Sequence, residues 1–273
     1  MSRSVITMTE KEYRAHHAVS RSELWRLLSE TPEKYRYYKD NPPPATDALI
    51  FGQALHMSVL QPEIYTDNFA VAPDADRRTK AGKEVWNDFI SKNEGKTFIS
   101  ANFQNKIDDM TTKLNSDPFA RKLLSGEREK PYFWTDEMTG EECKCRVDCI
   151  TQMGGTTYIV DIKTAENAAS DEFTRKSIKY GYPMQAAMYS EGVKKATGTS
   201  CIFVFVIIEK EPPYAINIMQ ADGLHVQYGY DLFREAIGIY HDCKINNNWY
   251  GYLGKFNNVN VLGLPAYLAK EFD

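Results

Sequence analysis

Two aspartates, Asp148 and Asp161, lie on either side of Gly154-Gly155, and Lys163 follows the second by two residues. A Gly-Gly pair suits a two-residue hairpin turn, because both central positions of such a turn need positive φ. A turn centred there sets Asp148 directly opposite Asp161 on neighbouring antiparallel strands, with Cβ atoms about 4.5–5.5 Å apart. Lys163 then shares their face by the two-residue strand period, beside Arg146 across the ladder. Facing carboxylates repel, so the arrangement asks for a cation. Aspartate oxygens suit Mg²⁺, with Mn²⁺ as a substitute; these ions keep several waters and can ready one for attack while neutralising a phosphate. The competing reading is a plain salt-bridge lattice in which Arg146 and Lys163 neutralise the aspartates. The apolar run Tyr158-Ile159-Val160 favours a site, since it should bury a ladder where surface pairs would contribute little.

The elements that must hold these residues are legible as changes of period. Ser20-x-x-Glu23 is a capping box opening a helix through about residue 29, Pro32 starts another, and Pro42 to Pro44 break the chain. A third helix, from Thr46 or Asp47 to Leu60, puts Leu49, Gly52, His56 and Val59 near one face, with Gly52 expected to admit another backbone one turn from His56. Residues 72–82 read as a charged loop, followed by helices at about 83–92 and 100–115. From Pro131 the pattern turns to strands, at 131–138, 141–151 and 156–164. Residues 171–196 read as helix with a break at Gly181 and Pro183; Gln185 and Tyr189 sit one turn apart on its second half. The unbroken apolar run 201–208 predicts a buried strand and 214–219 an outer one, while Asp222 caps a helix reaching about Asn246. The tail from Trp249 either packs on the core or meets a neighbouring subunit. The chain is thus expected to be one α/β domain: a mainly helical portion over 1–125 supplying His56, an α/β core over 126–246 and a tail over 247–273.

Composition narrows the partners. With 273 residues, 42% of them hydrophobic, the chain can bury a sizeable core. A net charge of −4 gives no global attraction to a polyanion, so a nucleic-acid surface must be a local patch. Arg77, Arg78, Lys80 and Lys83 form the candidate, diluted by Asp74 and Asp76. The five cysteines are odd in number and form no CxxC pair, which fits reduced, buried thiols rather than disulfides or zinc. No stretch resembles a signal peptide or approaches the roughly 18 apolar residues of a membrane span, so a cytoplasmic protein is expected.

Asp148, Asp161-Ile162-Lys163 thirteen residues later, Gln185-x-x-x-Tyr189, and an upstream Gly52-x-x-x-His56 together resemble the RecB-like branch of the PD-(D/E)xK nucleases. The segments VSRSELWRLLSETPEKYRYY, FGQALHMSVLQPEIY and DRRTKAGKEVW look like the RecE-type group, that of the exodeoxyribonuclease VIII C-terminal domain and its phage relatives, over roughly residues 18–220. The resemblance implies the PD-(D/E)xK fold, a central mixed sheet flanked by helices. It implies that His56, Asp148, Asp161 and the Ile162 carbonyl bind metal, that Lys163 is the catalytic lysine, and that Gln185 and Tyr189 support the site or the DNA end. It further implies a bacterial or phage exonuclease on linear duplex ends, 5′ to 3′, a ring-shaped homo-oligomer, and a single-strand annealing partner of RecT type. A structure-selective or restriction-type endonuclease and a silent DNA-binding module are the alternatives. Activity is expected to weaken in acid, where protons compete with metal for the aspartates and His56. Asp161 stands where many members of the superfamily carry glutamate, and the iron–sulfur cysteines of some RecB-like nucleases are absent.

Overall fold

Apolar alternation between residues 127 and 220 organises the chain around a six-stranded mixed sheet, seen here in a computed structural model that describes residues 8–255 and 259–264. In chain order the elements are α1 (Glu10–Ala15), β1 (Val19–Ser20), α2 (Arg21–Ser29), α3 (Pro32–Asp40), α4 (Asp47–Leu60), α5 (Pro62–Asn68), β2 (Phe69–Val71), α6 (Lys80–Lys92), β3 (Thr97–Ile99), α7 (Ala101–Ser116) and α8 (Pro118–Leu123). The core follows with β4 (Glu127–Thr135), β5 (Glu142–Met153), β6 (Thr156–Ala165), α9 (Ser170–Lys179), α10 (Tyr182–Thr197), β7 (Cys201–Glu209), β8 (Ile216–Gln220) and α11 (Gly223–Asn246).

β4, β5 and β6 form an antiparallel meander, β7 joins β6 in parallel after the α9–α10 crossover, and β8 closes the edge antiparallel. One edge of β5 is held by β4 from Glu142 to Ile150. The other edge is divided between β6, opposite Cys149–Met153, and β1, parallel to Cys143 and Lys144. The sheet therefore forks beside Val147 and Asp148.

Each sheet face is covered. Phe203, Phe205 and Ile207 of β7 pack with α2, α10 and α11, through Leu24, Met184 and Phe233. Val204, Val206 and Ile208 of the same strand pack with α4, α7 and α8, through Leu55, Met110 and Leu123. Two-sided burial is why this strand reads as an unbroken apolar run, each such side chain contributing about 1.5–3 kcal/mol.

In α4 the Thr46 hydroxyl accepts from Leu49 N–H at 3.3 Å, starting the helix where expected. The buried stripe, however, is Phe51, Ala54, Leu55 and Val59, because the larger apolar groups take the core. Leu49 is exposed, and a side chain at Gly52 would meet nothing within 4 Å, so the expected close backbone approach there does not occur. His56 lies at the margin of this stripe, half-buried.

Gly154 and Gly155 have φ of 58° and 81°, as the hairpin requires, and the α9–α10 break falls at Gly181. α6 starts at Lys80, inside the expected loop, and β4 starts four residues before Pro131. The cysteines are free, with Cys143, Cys145, Cys149 and Cys243 buried. Trp249 packs on Tyr35 and Tyr240, as one reading of the tail expected; residues 256–258 and 265–273 lie outside the described ones. Among the described residues no helix is long and apolar enough to cross a membrane.

Candidate active site

The β5–β6 ladder runs from Met153–Thr156 to Cys149–Val160, the register that the Gly-Gly turn predicts. One step further it sets Asp148 opposite Asp161, and there regular pairing stops. Ile162 N–H donates to the Asp148 carboxylate at 2.8 Å instead of to a β5 carbonyl. The β4–β5 ladder is interrupted at the same level: Arg128 pairs with Cys149 and Lys130 with Val147, leaving Glu129 opposite Asp148. Glu129 has φ of 50°, in the left-handed region, and side-chain alternation flips here. Cys143, Cys145 and Val147 face one core, but Cys149 faces the other. Glu129, Asp148 and Asp161 thus make an acidic row across three adjacent strands, at the fork of the sheet.

The flanking residues converge on this row. His56 of α4 lies 3.3 Å from Asp148 Oδ2 through Nδ1 and 2.9 Å from the Ile162 carbonyl through Nε2. Lys163 Nζ is 2.6 Å from Asp161 Oδ2, and Gln185 of α10 donates to Asp161 Oδ1. Tyr189, one turn beyond Gln185, packs edge-on against Phe203, and burial lifts its hydroxyl well above the usual pKa. Arg146 does not stand beside Lys163 as expected. It lies opposite Pro131, and its guanidinium pairs with Glu129 at 2.7 Å and with Glu10 of α1. Arg78 pairs with Asp76, Arg77 lies 4.5 Å from the Trp86 ring centroid, and Lys80 begins α6; none of these three is brought to the acidic row.

Burial sets the electrostatics. Desolvation raises the Asp161 pKa despite Lys163, with the Asp148 charge adding to the rise. Burial opposes the Lys163 ammonium, yet Asp161 prevails and holds its pKa above the usual lysine range. Desolvation and the Asp148 charge push Glu129 up to about 7.

The donor set suits a divalent cation. One ligand atom each from His56, Glu129 and Asp148 lies within 4.8 Å of the others, and the Ile162 carbonyl touches the same imidazole. Asp161 Oδ2 is enclosed, with the Lys163 ammonium as its neighbour at 2.6 Å. Oxygen acceptors set against both nitrogens of one imidazole, with a second carboxylate crowded beside them, are the kind of group that an ion preferring oxygen ligands satisfies together. Asp161 is not part of the close three-residue group and lies on the Lys163 side of it. Glu129 was not singled out from the sequence: the strand pattern there was expected only from Pro131, whereas β4 begins at Glu127. A second trio, His16, His17 and Glu142, is not comparable. Its imidazoles stack at 4.5 Å and 17°, so their lone pairs run side by side rather than to one point, and His16 Nδ1 already accepts from Ala18 N–H.

Glu129 makes a stability prediction. A carboxyl with a raised folded pKa binds protons in the native state that the unfolded chain has released, so stability falls as pH rises from about 4.5 to about 7. Glu129→Gln should remove much of that slope and stabilise the metal-free protein at pH 8 by on the order of 2 kcal/mol. Thermal melts in chelator at pH 5 and pH 8 measure this, and equal slopes for the two proteins would contradict it.

The family model for a PDDEXK-like domain of unknown function (DUF3799) matches residues 25–260. Among solved structures, a protein from Eubacterium rectale described as a putative exonuclease is similar with a TM-score of 0.62 at 16% identity, covering 97% of this chain and 98% of that one. A second, SSO0001, has a TM-score of 0.33 at 16% identity, over 70% of this chain and 86% of that one. No curated protein matches the sequence. The likeness to the first structure is one of fold. The chain, matched by the family model over residues 25–260, belongs to the PDDEXK-like domain family.

Proposed function

We propose that the protein is a metal-dependent exonuclease that hydrolyses phosphodiester bonds from the ends of linear double-stranded DNA, in the 5′ to 3′ sense, leaving 3′ single-stranded tails for recombination. The observation that carries this reading is the row Glu129, Asp148 and Asp161 at the sheet fork, flanked by His56, the Ile162 carbonyl and Lys163. When bound, Mg²⁺ or Mn²⁺ supplies Lewis-acid neutralisation of phosphate charge and lowers the pKa of a water to the range in which it attacks.

The chain's own groups have distinct tasks. Asp148, Asp161, His56 and the Ile162 carbonyl would hold the ion, with Glu129 as a further carboxylate. Gln185 holds Asp161 Oδ1, which orients Oδ2 towards Lys163. The Lys163 ammonium stands where it can orient the attacking water and offset the phosphate charge. Tyr189 walls the site beside Phe203. The resemblance to RecE-type nucleases extends the proposal to a ring-shaped homo-oligomer, in which modest basic patches would line a common channel, and to a RecT-type annealing partner.

An end-labelled linear duplex and a covalently closed circle separate this from an endonuclease. With Mg²⁺ the linear duplex should lose its 5′ label first and the circle should persist until it is linearised; chelator should stop both. Cutting of the intact circle would favour the endonuclease reading, and release from neither substrate would favour a silent DNA-binding module.

A further inference from the structure

Arg21 is the first residue of α2, directly after β1, whose pairing with Cys143 and Lys144 places it beside the fork. Its surroundings are those of a cation without an anion. The guanidinium donates to the Tyr180 carbonyl, and its Nε is enclosed with no hydrogen-bond partner. It lies 6.0 Å from the Trp25 ring centroid and 5.9 Å from that of Tyr182. Among the described residues no carboxylate pairs with it, although Asp161 is close enough to act on its charge. A half-buried arginine whose Nε is enclosed without an acceptor is better satisfied when an anion joins it.

Aromatic rings continue from the chemical centre to the surface at the same place. Lys163 Nζ is 4.8 Å from the Tyr182 ring centroid, Tyr182 is 5.9 Å from Tyr180, and Tyr180 is 48% exposed. Gly181 joins the two tyrosines with φ of 65°, and a side chain there would collide with the Trp25 ring, so α2 fixes this corner. A fixed aromatic pair next to an unpaired arginine has the chemistry of a single-stranded nucleotide site: rings accept any base by stacking, and a guanidinium takes the phosphate.

We propose that Arg21, Tyr180 and Tyr182 form a nucleotide clamp beside the acidic row, Arg21 binding a backbone phosphate of the strand being cut and Tyr180 stacking an unpaired base. The inference rests on the nuclease reading and adds a substrate requirement to it: the strand enters the fork with at least one nucleotide unstacked from its duplex. Arg21 and Tyr180 position the substrate, whereas Lys163 and the aspartates act on the reacting atoms.

The test is fluorescence anisotropy with the full chain in Ca²⁺, using a labelled duplex that ends in a short single-stranded overhang. Arg21→Gln should weaken binding about 10-fold and lower the slope of log Kd against log salt by about one, while Arg21→Lys keeps that slope. Tyr180→Ala should weaken binding about 10-fold with the slope unchanged. An abasic residue at the overhang should cost the wild type about the same factor and cost Tyr180→Ala nothing. Melting temperatures separate folding from binding: removing an unpaired cation should leave Arg21→Gln at least as stable as the wild type. A lower melting temperature with an unchanged salt slope would reduce Arg21 to a brace for the α9–α10 corner and overturn the proposal, as would an equal abasic penalty in wild type and Tyr180→Ala. If the wild type releases nucleotides with Mg²⁺ while the variants bind like it, this inference alone fails. If the binding differences appear but the wild type releases nothing, the nuclease reading alone fails.

Discussion

Asp161→Ala is expected to lower Mg²⁺-dependent release of nucleotides from linear duplex DNA by at least about 1,000-fold, the loss of several kcal/mol of transition-state stabilisation. The expectation follows from its two partners. Asp161 Oδ1 accepts from Gln185 and Oδ2 faces Lys163 at 2.6 Å, so one side chain joins the proposed metal face to the proposed catalytic ammonium. Alanine removes the proposed ligand, releases Gln185 and leaves Lys163 without its counter-charge. Single-turnover kinetics at saturating Mg²⁺ measure the effect, with the melting temperature recorded alongside to show that the protein is folded. Turnover close to that of the wild type would end the assignment of the acidic row to catalysis.

Lys163→Met should reduce the rate by about 10²–10⁴-fold, the range for a positioned proton-transfer group, with little change in metal affinity. It should also change stability in a way that depends on pH. Breaking a buried ion pair leaves an uncompensated charge and costs about 3–5 kcal/mol. Here the orphan is Asp161, whose pKa is already raised by burial even with the ammonium present, so removing Lys163 raises it further. A raised folded pKa destabilises above the unfolded value, so the loss in chelator should be large at pH 8 and should shrink towards pH 5 as the carboxyl takes up a proton. The double variant Asp161→Ala/Lys163→Met should melt close to the wild type at pH 8, because neither charge is then stranded. Equal losses at both pH values, or a double variant as unstable as the sum of the singles, would show that the pair is not the coupled unit described.

Much of the site was legible because it depends on local rules. The Gly-Gly turn sets a register of one residue per step, so the opposition of Asp148 and Asp161 follows from counting, and the observed pairs from Met153–Thr156 to Cys149–Val160 agree with it. Gln185 and Tyr189 share a helix face by the same kind of arithmetic. Glu129 was missed because the strand pattern was expected only from Pro131: Glu, Arg, Glu and Lys before a proline carry no strand alternation, and only pairing with β5 makes them one. Arg21 was missed because an arginine after a capping serine reads as an exposed first-turn residue. The helix face of α4 was misjudged for a related reason. Period alone places Leu49 and Gly52 with His56, whereas Phe51 and Leu55 offer more apolar area and rotate the helix towards α7.

What the sequence by itself determined about this protein is therefore the hairpin, its two aspartates and lysine, the helix that carries His56, and the resemblance that orders them. What only the tertiary structure decided is the fork: β1 and β6 share one edge of β5, the ladders open at Asp148, and Glu129 and His56 meet there from segments far apart in the chain. The physical reason is that turns and helix faces are fixed by neighbours in sequence, while the partner of a strand edge is fixed by which distant apolar surfaces bury best together.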